Sequence, residues 1–500
     1  MSGYAALLRR YAVPVAAFAG VLHSFSFAPL AQRWLAPLTL ALLYWLWEGA
    51  SARRAAVVGA AFGAGLFLVG TFWIYHSVHT VAHAPVAIAL LLLAGLVVIM
   101  ASYPALLGAA VARFAGSSGG WRRGGLLTAG WVLLEWVRGW FLSGFPWLSL
   151  GYATLDTPLA GFVPFVGVYG ASLVVALLAL FLWRATAASW RERAVLLLSA
   201  FALGVSGAML GQMNVTHATG RTHTVALVQG AVAQDEKWEA ASRDRSFEVY
   251  ERLTMQALGH DLVIWPESAL PVVYQEAVPF LSRLYLAAQA RHSDLVLGLL
   301  RYDPDGAGYR NGLVALGEGE GWYYKRRLVP FGEFFPVPDF VRGWMRGLDL
   351  FYVDFVPGAE DQAALSAAGE RLGATICYED AYASEQRAVL REATLLVNVS
   401  NDAWFGDSSA PHQHLEITRM RALEAGRWMM RATNTGLTAL IGPDGRIMAR
   451  APQFVPTVLT GTVEARTGLT PYARWGNAPV LALCAAVLLG LGWRRGSVAV

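Results

Sequence analysis

The chain has 500 residues, of which 56% are hydrophobic and 15% charged, and its mean hydropathy is +0.43. This composition is too apolar for a soluble protein and too charged for a protein made only of membrane spans, so we expect both kinds of segment. The formal net charge of +4 comes mostly from arginines that flank the apolar segments, and it gives no reason to expect a nucleic-acid partner.

Long apolar runs alternate with short arginine-bearing connectors up to about residue 212. A helix needs roughly 20 apolar residues to cross a bilayer. The runs therefore predict about eight spans, seven before a globular region and one after it, at 11–30, 34–50, 55–75, 84–112, 124–142, 159–183, 194–211 and 477–493.

The arginines of the connectors predict the orientation of these spans. One alternate set of short loops carries only Arg33 and Arg138. Positive residues concentrate on the cytoplasmic side, so both termini are predicted in the cytoplasm and the globular region outside it. The opposite set of connectors holds Arg9, Arg10, Arg53, Arg54, Arg113, Arg122, Arg123, Arg184, Arg191, Arg193, Arg494 and Arg495.

The region from about 222 to 466 has the pattern of a globular α/β domain. Short runs rich in β-formers alternate with helical stretches, which predicts a sheet layered with helices. We predict three domains, at 1–221, 222–466 and 467–500. The predicted strands are 224–229, 261–265, 294–298, 312–316, 321–325, 372–377, 395–399, 438–441 and 458–463, and the predicted helices are 241–258, 276–291, 381–391 and 411–431.

Three of the predicted strands end in side chains of complementary chemistry. Glu267 follows the strand 261–265, Lys325 ends the strand 321–325, and Cys377 ends the strand 372–377. In α/β sheets the chemistry lies where strands end. A carboxylate, an ammonium and a thiol are the base, the oxyanion partner and the nucleophile of thiol-based acyl transfer, so the sequence predicts such a site here.

The residues around this trio resemble the three catalytic motifs of the nitrilase superfamily. The resemblance rests on the segments 265–267, 324–333 and 377–380, and two later segments, 398–406 and 431–436, resemble further blocks of that superfamily. It covers the whole globular region. It implies an αββα sandwich with Glu267, Lys325 and Cys377 as the catalytic triad.

A nitrilase-like domain between seven spans and an eighth is similar to the apolipoprotein N-acyltransferases, and the segment 135–147 resembles the membrane part of that family. The resemblance implies a bacterial inner-membrane enzyme with its catalytic domain on the periplasmic face and without a cofactor. An acyl chain would pass from a phospholipid, through a thioester on Cys377, to the α-amine of diacylglyceryl-cysteine in a lipoprotein. We expect a monomer embedded in the lipid bilayer.

The resemblance also implies supporting roles. Glu333 would orient Lys325, and Glu379 and Tyr378 would shape the pocket of the nucleophile. The composition of the segment 337–355, rich in aromatic residues and leucine, itself suits an interfacial arm that would keep water from the thioester. Substrate contacts are expected of Trp238, Arg138 and Trp147.

Other interpretations of the sequence stay open. A membrane-anchored amidase that uses water as acceptor would need the same triad, and a transporter or scaffold would carry a degenerate outer domain. Arg138 and Glu135 could form a structural ion pair instead of binding a headgroup. No metal site is predicted, because His412 and His414 lack a third ligand at a fitting spacing.

Overall fold

A computed structural model of the chain describes residues 3–115, 120–233, 240–303, 306, 308–317, 321–330, 332–334 and 355–493. The chain forms two compact units. The helical unit comprises Met1–Asn214, Asp407–Glu416 and Thr470–Val500, and the sheet unit comprises Val215–Gly406 and Ile417–Leu469.

The helical unit consists of helices joined by short connectors, with one π-helical turn at Ser77–Val81 and 3₁₀ turns at Phe141–Ser143, Leu150–Thr154 and Pro158–Phe162. Its helices are α1 Gly3–Arg10, α2 Ala12–Ser24, α3 Leu35–Trp47, α4 Ala52–Gly70, α5 Trp73–His76, α6 Val86–Ala115, α7 Trp121–Arg138, α8 Val163–Ala185, α9 Trp190–Leu210, α14 Pro471–Trp475 and α15 Ala478–Trp493.

Every predicted span overlaps one of these helices, which confirms a helical membrane part. Among the described residues, four helices are long and apolar enough to cross a membrane: Ala52–Gly70, Val86–Ala115, Pro158–Ala185 and Trp190–Leu210. The helices α2 and α3 have 13 residues each. At 1.5 Å per residue such a helix is about 20 Å long, against roughly 30 Å of hydrocarbon. The count of eight spans therefore stays a prediction.

Glycines let the helices of this unit approach closely. A Cβ at Gly20 of α2 would lie 2.0 Å from the carbonyl oxygen of Phe62 on α4. A Cβ at Gly59 of α4 would lie 2.4 Å from the carbonyl oxygen of Pro104 on α6. Because real Cβ atoms do not come this close, each position requires glycine, as is typical of helix contacts in membranes.

The sheet unit contains two six-stranded sheets. In the first the strand order is β12-β1-β2-β3-β4-β5, and in the second it is β11-β10-β9-β8-β7-β6. The strands are β1 His217–Gln229, β2 Leu262–Ile264, β3 Asp294–Tyr302, β4 Tyr309–Leu316, β5 Gly321–Tyr324, β6 Leu365–Ala367, β7 Glu370–Ile376, β8 Leu395–Ser400, β9 Met429–Thr433, β10 Ala439–Ile441, β11 Ile447–Arg450 and β12 Thr457–Thr467.

The centre of each sheet is parallel, as strands β1, β2 and β3 are in the first sheet and β7, β8 and β9 in the second. The remaining neighbours pair antiparallel. Parallel strands place their carboxyl ends at one edge, so residues that follow β2 in one sheet, or β7 and β8 in the other, lie at strand ends where a site can form.

The two sheets pack face to face. Alternate residues of both, such as Ile264 and Val296 in the first and Ile376 and Val399 in the second, form one fully buried core. The other face of the first sheet is covered by helices α10 Ala240–Ala257 and α11 Tyr274–Gln289, which bury a second core. Thr418, on helix α13 Ser409–Ala425, accepts a hydrogen bond from the β9 side chain of Arg431. The predicted αββα sandwich is confirmed.

Local predictions in this unit were mostly right, with differences that have physical reasons. All nine predicted strands exist, but β6, β9 and β11 were missed. The predicted helix 411–431 is wrong at its C-terminal end, because α13 ends at Ala425 and β9 begins at Met429. Gly426 takes a positive φ of 61°, the common way for glycine to end a helix. In place of the predicted helix 381–391, α12 covers only Ala383–Arg387 between 3₁₀ turns.

Candidate active site

Glu267 lies just past the end of β2 and is buried. Its Oε1 accepts hydrogen bonds from Asn311 Nδ2 at 2.7 Å and Lys325 Nζ at 3.1 Å, and its Oε2 accepts from the backbone N of Asn401 at 2.8 Å. A Cβ at Gly298 would lie 2.8 Å from the Glu267 Cα, so glycine there makes room for the turn. Three donors from three segments thus fix the carboxylate.

Lys325 follows β5, and its ammonium lies between two carboxylates. Its Nζ donates to Glu267 Oε1 at 3.1 Å and to Glu333 Oε1 at 2.7 Å, and the side chain is 1% exposed. Burial lowers the pKa of Lys325, but the two carboxylates outweigh it and leave that pKa well above its usual value. The lysine is therefore a fixed positive charge at neutral pH.

Glu333 is the second carboxylate that holds Lys325. Its Oε1 accepts from the lysine, while its Oε2 accepts from the backbone N of Val329 at 2.8 Å. The second bond locks the carboxylate to its own loop, so the lysine cannot move without breaking a buried ion pair. This is the geometry expected of a carboxylate that orients the lysine.

Cys377 follows β7 and starts a 3₁₀ turn, Cys377–Ala381. Its φ is 52°, a left-handed conformation that is uncommon outside glycine and is often found at functional sites. Burial and the charge of Glu267 raise the pKa of the Cys377 thiol well above its ordinary value, although Lys325 acts in the opposite direction. The resting thiol is therefore protonated, and its activation requires a base.

Glu379 ties the turn of the nucleophile to the loop of the lysine. Its Oε2 accepts from the backbone N of Ile376 at 2.7 Å and from the Tyr323 hydroxyl at 3.0 Å. Its Oε1 accepts from the backbone N of Arg326 at 2.5 Å and of Arg327 at 3.2 Å. The residues next to Cys377 and Lys325 are thus held by one fully buried carboxylate.

Tyr378 lies beside the nucleophile, and its ring packs edge-on against Tyr382 with the centroids 5.2 Å apart. Beneath the turn, Arg431 is completely buried and reaches Asp402 at 2.9 Å and Asp380 at 3.6 Å. Two carboxylates around one guanidinium compensate its charge and make the support of the turn rigid.

The sequence analysis predicted no role for Asn311. It included Ser400, Asn401, Asp402 and Arg431 only within the segments 398–406 and 431–436, without a role for any of them. The available signal was polarity within apolar strands: Asn311 lies inside β4 and Ser400 ends β8, and both are buried. A buried polar side chain requires a hydrogen-bonding partner. Each of these two residues therefore indicated a polar site near its own strand.

The residues predicted to contact substrates, Arg138, Trp147 and Trp238, precede the catalytic residues in the sequence. Arg138 donates to the backbone oxygen of Phe145 at 2.9 Å and to the Ser149 hydroxyl at 3.3 Å, and so organises the loop after α7. Trp147 is 2% exposed and donates to Gln413 Oε1 at 2.6 Å. Trp238 and nearly all of the arm 337–355 fall outside the described residues.

Glu135, the other charged residue of α7 near Arg138, is also bound to its surroundings. Its Oε1 accepts from Trp131 Nε1 at 3.0 Å and from the backbone N of Leu150 at 2.8 Å. Both charged side chains therefore hold the segment that follows α7. Among the described residues, no group of three His, Cys, Asp or Glu could hold a metal ion.

Comparisons with known proteins match both parts of the chain. Residues 19–181 match the model of the apolipoprotein N-acyltransferase N-terminal domain, and residues 224–472 match that of carbon-nitrogen hydrolase. An apolipoprotein N-acyltransferase from Methylococcus capsulatus is 42% identical, with 94% of this chain and 93% of that protein covered. The one from Azotobacter vinelandii is 43% identical, with 95% of this chain and 93% of that protein covered. The one from Chromobacterium violaceum is 41% identical, with 96% of this chain and 94% of that protein covered.

Proposed function

The chain belongs to the apolipoprotein N-acyltransferase family, and on that premise we propose that it transfers acyl chains by two-step covalent catalysis on Cys377, with Glu267 and Lys325. The family match covers the membrane part as well as the hydrolase-like part, and therefore favours acyl transfer over a membrane-anchored amidase. The carbon-nitrogen hydrolase fold supplies the catalytic unit.

In the first step the Cys377 thiol loses its proton to Glu267 as the sulfur attacks the ester carbonyl of a phospholipid. The developing oxyanion is stabilised by the Lys325 ammonium, whose place between Glu267 and Glu333 requires no rearrangement when the charge appears. The C–O bond then breaks, Glu267 returns the proton to the departing alkoxide, and a lysophospholipid leaves. The acyl chain remains on Cys377 as a thioester.

In the second step the α-amine of a diacylglyceryl-cysteine attacks the thioester carbon. Glu267 accepts a proton from the amine, Lys325 again stabilises the oxyanion, and the C–S bond breaks to give an amide. The Cys377 thiolate takes the proton back from Glu267, and the site is restored. Because the first product leaves before the second substrate reacts, ping-pong kinetics follow.

The observation that carries this proposal is the shared carboxylate. Glu267 Oε1 accepts from Lys325 Nζ at 3.1 Å, and its charge acts on the Cys377 thiol. We infer that this one carboxylate exchanges protons with the nucleophile, while the lysine bound to it stabilises the oxyanion. The thiol pKa, raised by burial and by Glu267, is the reason a base is required.

The location and the substrate contacts belong to the proposal as well. We place the sheet unit on the periplasmic face of a bacterial inner membrane, with the arm 337–355 restricting water so that the thioester meets an amine before it is hydrolysed. Arg138 and Trp147 would act on substrates through the loop that they hold, and Trp238 by direct contact. The acyl donor is a phospholipid and the enzyme acts as a monomer.

Variant enzymes test the proposal in a single assay of acyl transfer from phospholipid to a diacylglyceryl-cysteine peptide. Cys377→Ser should abolish turnover, because a serine hydroxyl has a far higher pKa than a thiol, and Glu267→Gln should abolish it because the thiol keeps its proton. Cys484→Ser is the matched control, since this second cysteine lies buried in α15, and it should stay active. Full turnover by Cys377→Ser would reject the mechanism.

A further inference from the structure

Ser400 lies beside the nucleophile on the neighbouring strand. Strands β7 and β8 run parallel, and Ile376 lies opposite Val399. Cys377, the first residue after β7, is therefore next to Ser400, the last residue of β8. The Ser400 side chain is completely buried, and its hydroxyl hydrogen-bonds the Cys377 thiol. A group that touches the reacting sulfur can affect its chemistry directly.

The same hydroxyl has a second acceptor. Ser400 Oγ donates to Asp402 Oδ1 at 2.8 Å, and a hydroxyl has only one proton to donate. As long as the sulfur is a neutral thiol, the carboxylate is the stronger acceptor. When the sulfur becomes a thiolate, two anions compete for the one proton of Ser400.

The surroundings of Asp402 weaken its advantage over the thiolate as an acceptor for the Ser400 proton. Asp402 Oδ2 accepts from Arg431 Nη2 at 2.9 Å, and Arg431 is fully buried and anchored to the Thr418 hydroxyl at 2.9 Å. A carboxylate that is already neutralised by a fixed guanidinium loses less when a neutral donor turns away. A thiolate in a buried site gains more from the same donor, because few other groups can solvate it.

We propose that Ser400 is a further catalytic residue, whose hydroxyl donates to Asp402 in the resting enzyme and turns its proton to the Cys377 sulfur whenever the thiolate forms. No covalent bond to Ser400 forms or breaks. The thiol proton still goes to Glu267, and only the direction of the serine O–H changes. The hydroxyl serves twice per cycle, when the thiolate attacks the ester and when it leaves the thioester, so the inference rests on the proposed role of Cys377.

The test measures the thiolate directly, without acyl transfer. Full-length protein in detergent is alkylated with iodoacetamide over a range of pH, and modification of Cys377 is followed by peptide mass, which separates it from Cys484. The titratable groups that face the thiol are Glu267, Lys325 and Asp402, and all three are unchanged in the serine variants. A change in the pH profile is therefore due to the hydroxyl.

Ser400→Ala should be alkylated about 10- to 100-fold more slowly than the parent near pH 8, since a hydrogen bond to a charged group is lost. The difference in alkylation rate should shrink as the pH rises, because Cys377 then becomes ionised in the variant as well as in the parent. Ser400→Thr, which keeps the hydroxyl, should react within about threefold of the parent. Ser246→Ala is the matched control, because Ser246 is equally buried but lies on helix α10, and its profile should be unchanged.

Ser400→Gly provides a second removal of the hydroxyl should the alanine variant fail to fold, and thermal melting identifies the folded ones. A folded Ser400→Ala or Ser400→Gly with the parental rate and pH profile overturns the inference. The same samples, mixed with phospholipid, report acyl adducts on Cys377. Absence of an adduct on the parent would reject the proposed function, while the alkylation profile would still decide the role of Ser400.

Discussion

Replacing Glu379 by glutamine tests whether the active site is held together by one buried carboxylate. The four donors that bind Glu379 come from Ile376, Tyr323, Arg326 and Arg327. An amide has the same shape but presents one oxygen and one NH₂ group. In either orientation of the amide, two of the four donors face the NH₂ group and lose their acceptor.

The cost follows from the number of donors left unpaired. Each buried unsatisfied donor costs about 1–3 kcal/mol, so two cost about 2–6 kcal/mol in the free energy of unfolding. For a domain of this size each kcal/mol corresponds to about 2–4 °C, and the melting temperature should fall by roughly 4–24 °C. The acylation rate of Cys377 should fall too, because the nucleophile and the lysine loop lose their common support.

Glu370→Gln is the matched control. Glu370 is as buried as Glu379, and it accepts a bidentate pair of bonds from Arg221 at 2.6 and 2.9 Å and one from Thr394 at 2.6 Å. The Glu370→Gln substitution should lower the melting temperature, but the enzyme that remains folded should be acylated at the parental rate. The assay is single-turnover acylation of full-length protein by phospholipid, beside a melting curve. A Glu379→Gln enzyme with the melting temperature and acylation rate of the parent would show that Glu379 does not hold the site together.

Three further predictions concern the lysine, the thiol and the topology. Lys325→Arg should lose about 100- to 1000-fold in acylation rate, because a planar guanidinium cannot replace a compact ammonium between Glu267 and Glu333; a rate near that of the parent contradicts this. Since burial and Glu267 raise the pKa of Cys377, its alkylation should still increase above about pH 8.5, the ordinary midpoint, and a plateau below it contradicts the assignment. A reporter active only outside the cytoplasm should work after Ala218 and be silent near Ala188, and the reverse would invert the predicted orientation.

The sequence predicts the strands and the reactive side chains because both depend on short-range patterns. A buried strand needs only a run of apolar residues, and Glu267, Lys325 and Cys377 each stand at the end of one. Strand β9 was not predicted, because its apolar residues, Met429 and Met430, continue the apolar pattern of the preceding helix. Only Gly426, with its positive φ, marks the change.

The contacts that set the chemistry could not be predicted, since they join residues far apart in the chain. Asn311 reaches Glu267 across 44 positions, and the backbone of Asn401 reaches it across 134. Such pairs depend on the register of whole strands. The association of Asp407–Glu416 with the helical unit could not be predicted either, because long-range hydrogen bonds such as those of Gln413 with Trp147 and Gly70 leave no pattern in the sequence.

Mass measurement can show whether Cys377 carries the acyl chain from one substrate to the other. The full-length protein is mixed with phospholipid in the absence of an acceptor, and a diacylglyceryl-cysteine peptide is then added. We expect a mass increase of one fatty-acyl group on the protein, located by digestion on the peptide that contains Cys377. The adduct should disappear when the acceptor peptide is added, and the same acyl group should then be found as an amide on that acceptor. An acylated acceptor formed with no adduct on Cys377 at any time would show that Cys377 does not carry the acyl chain.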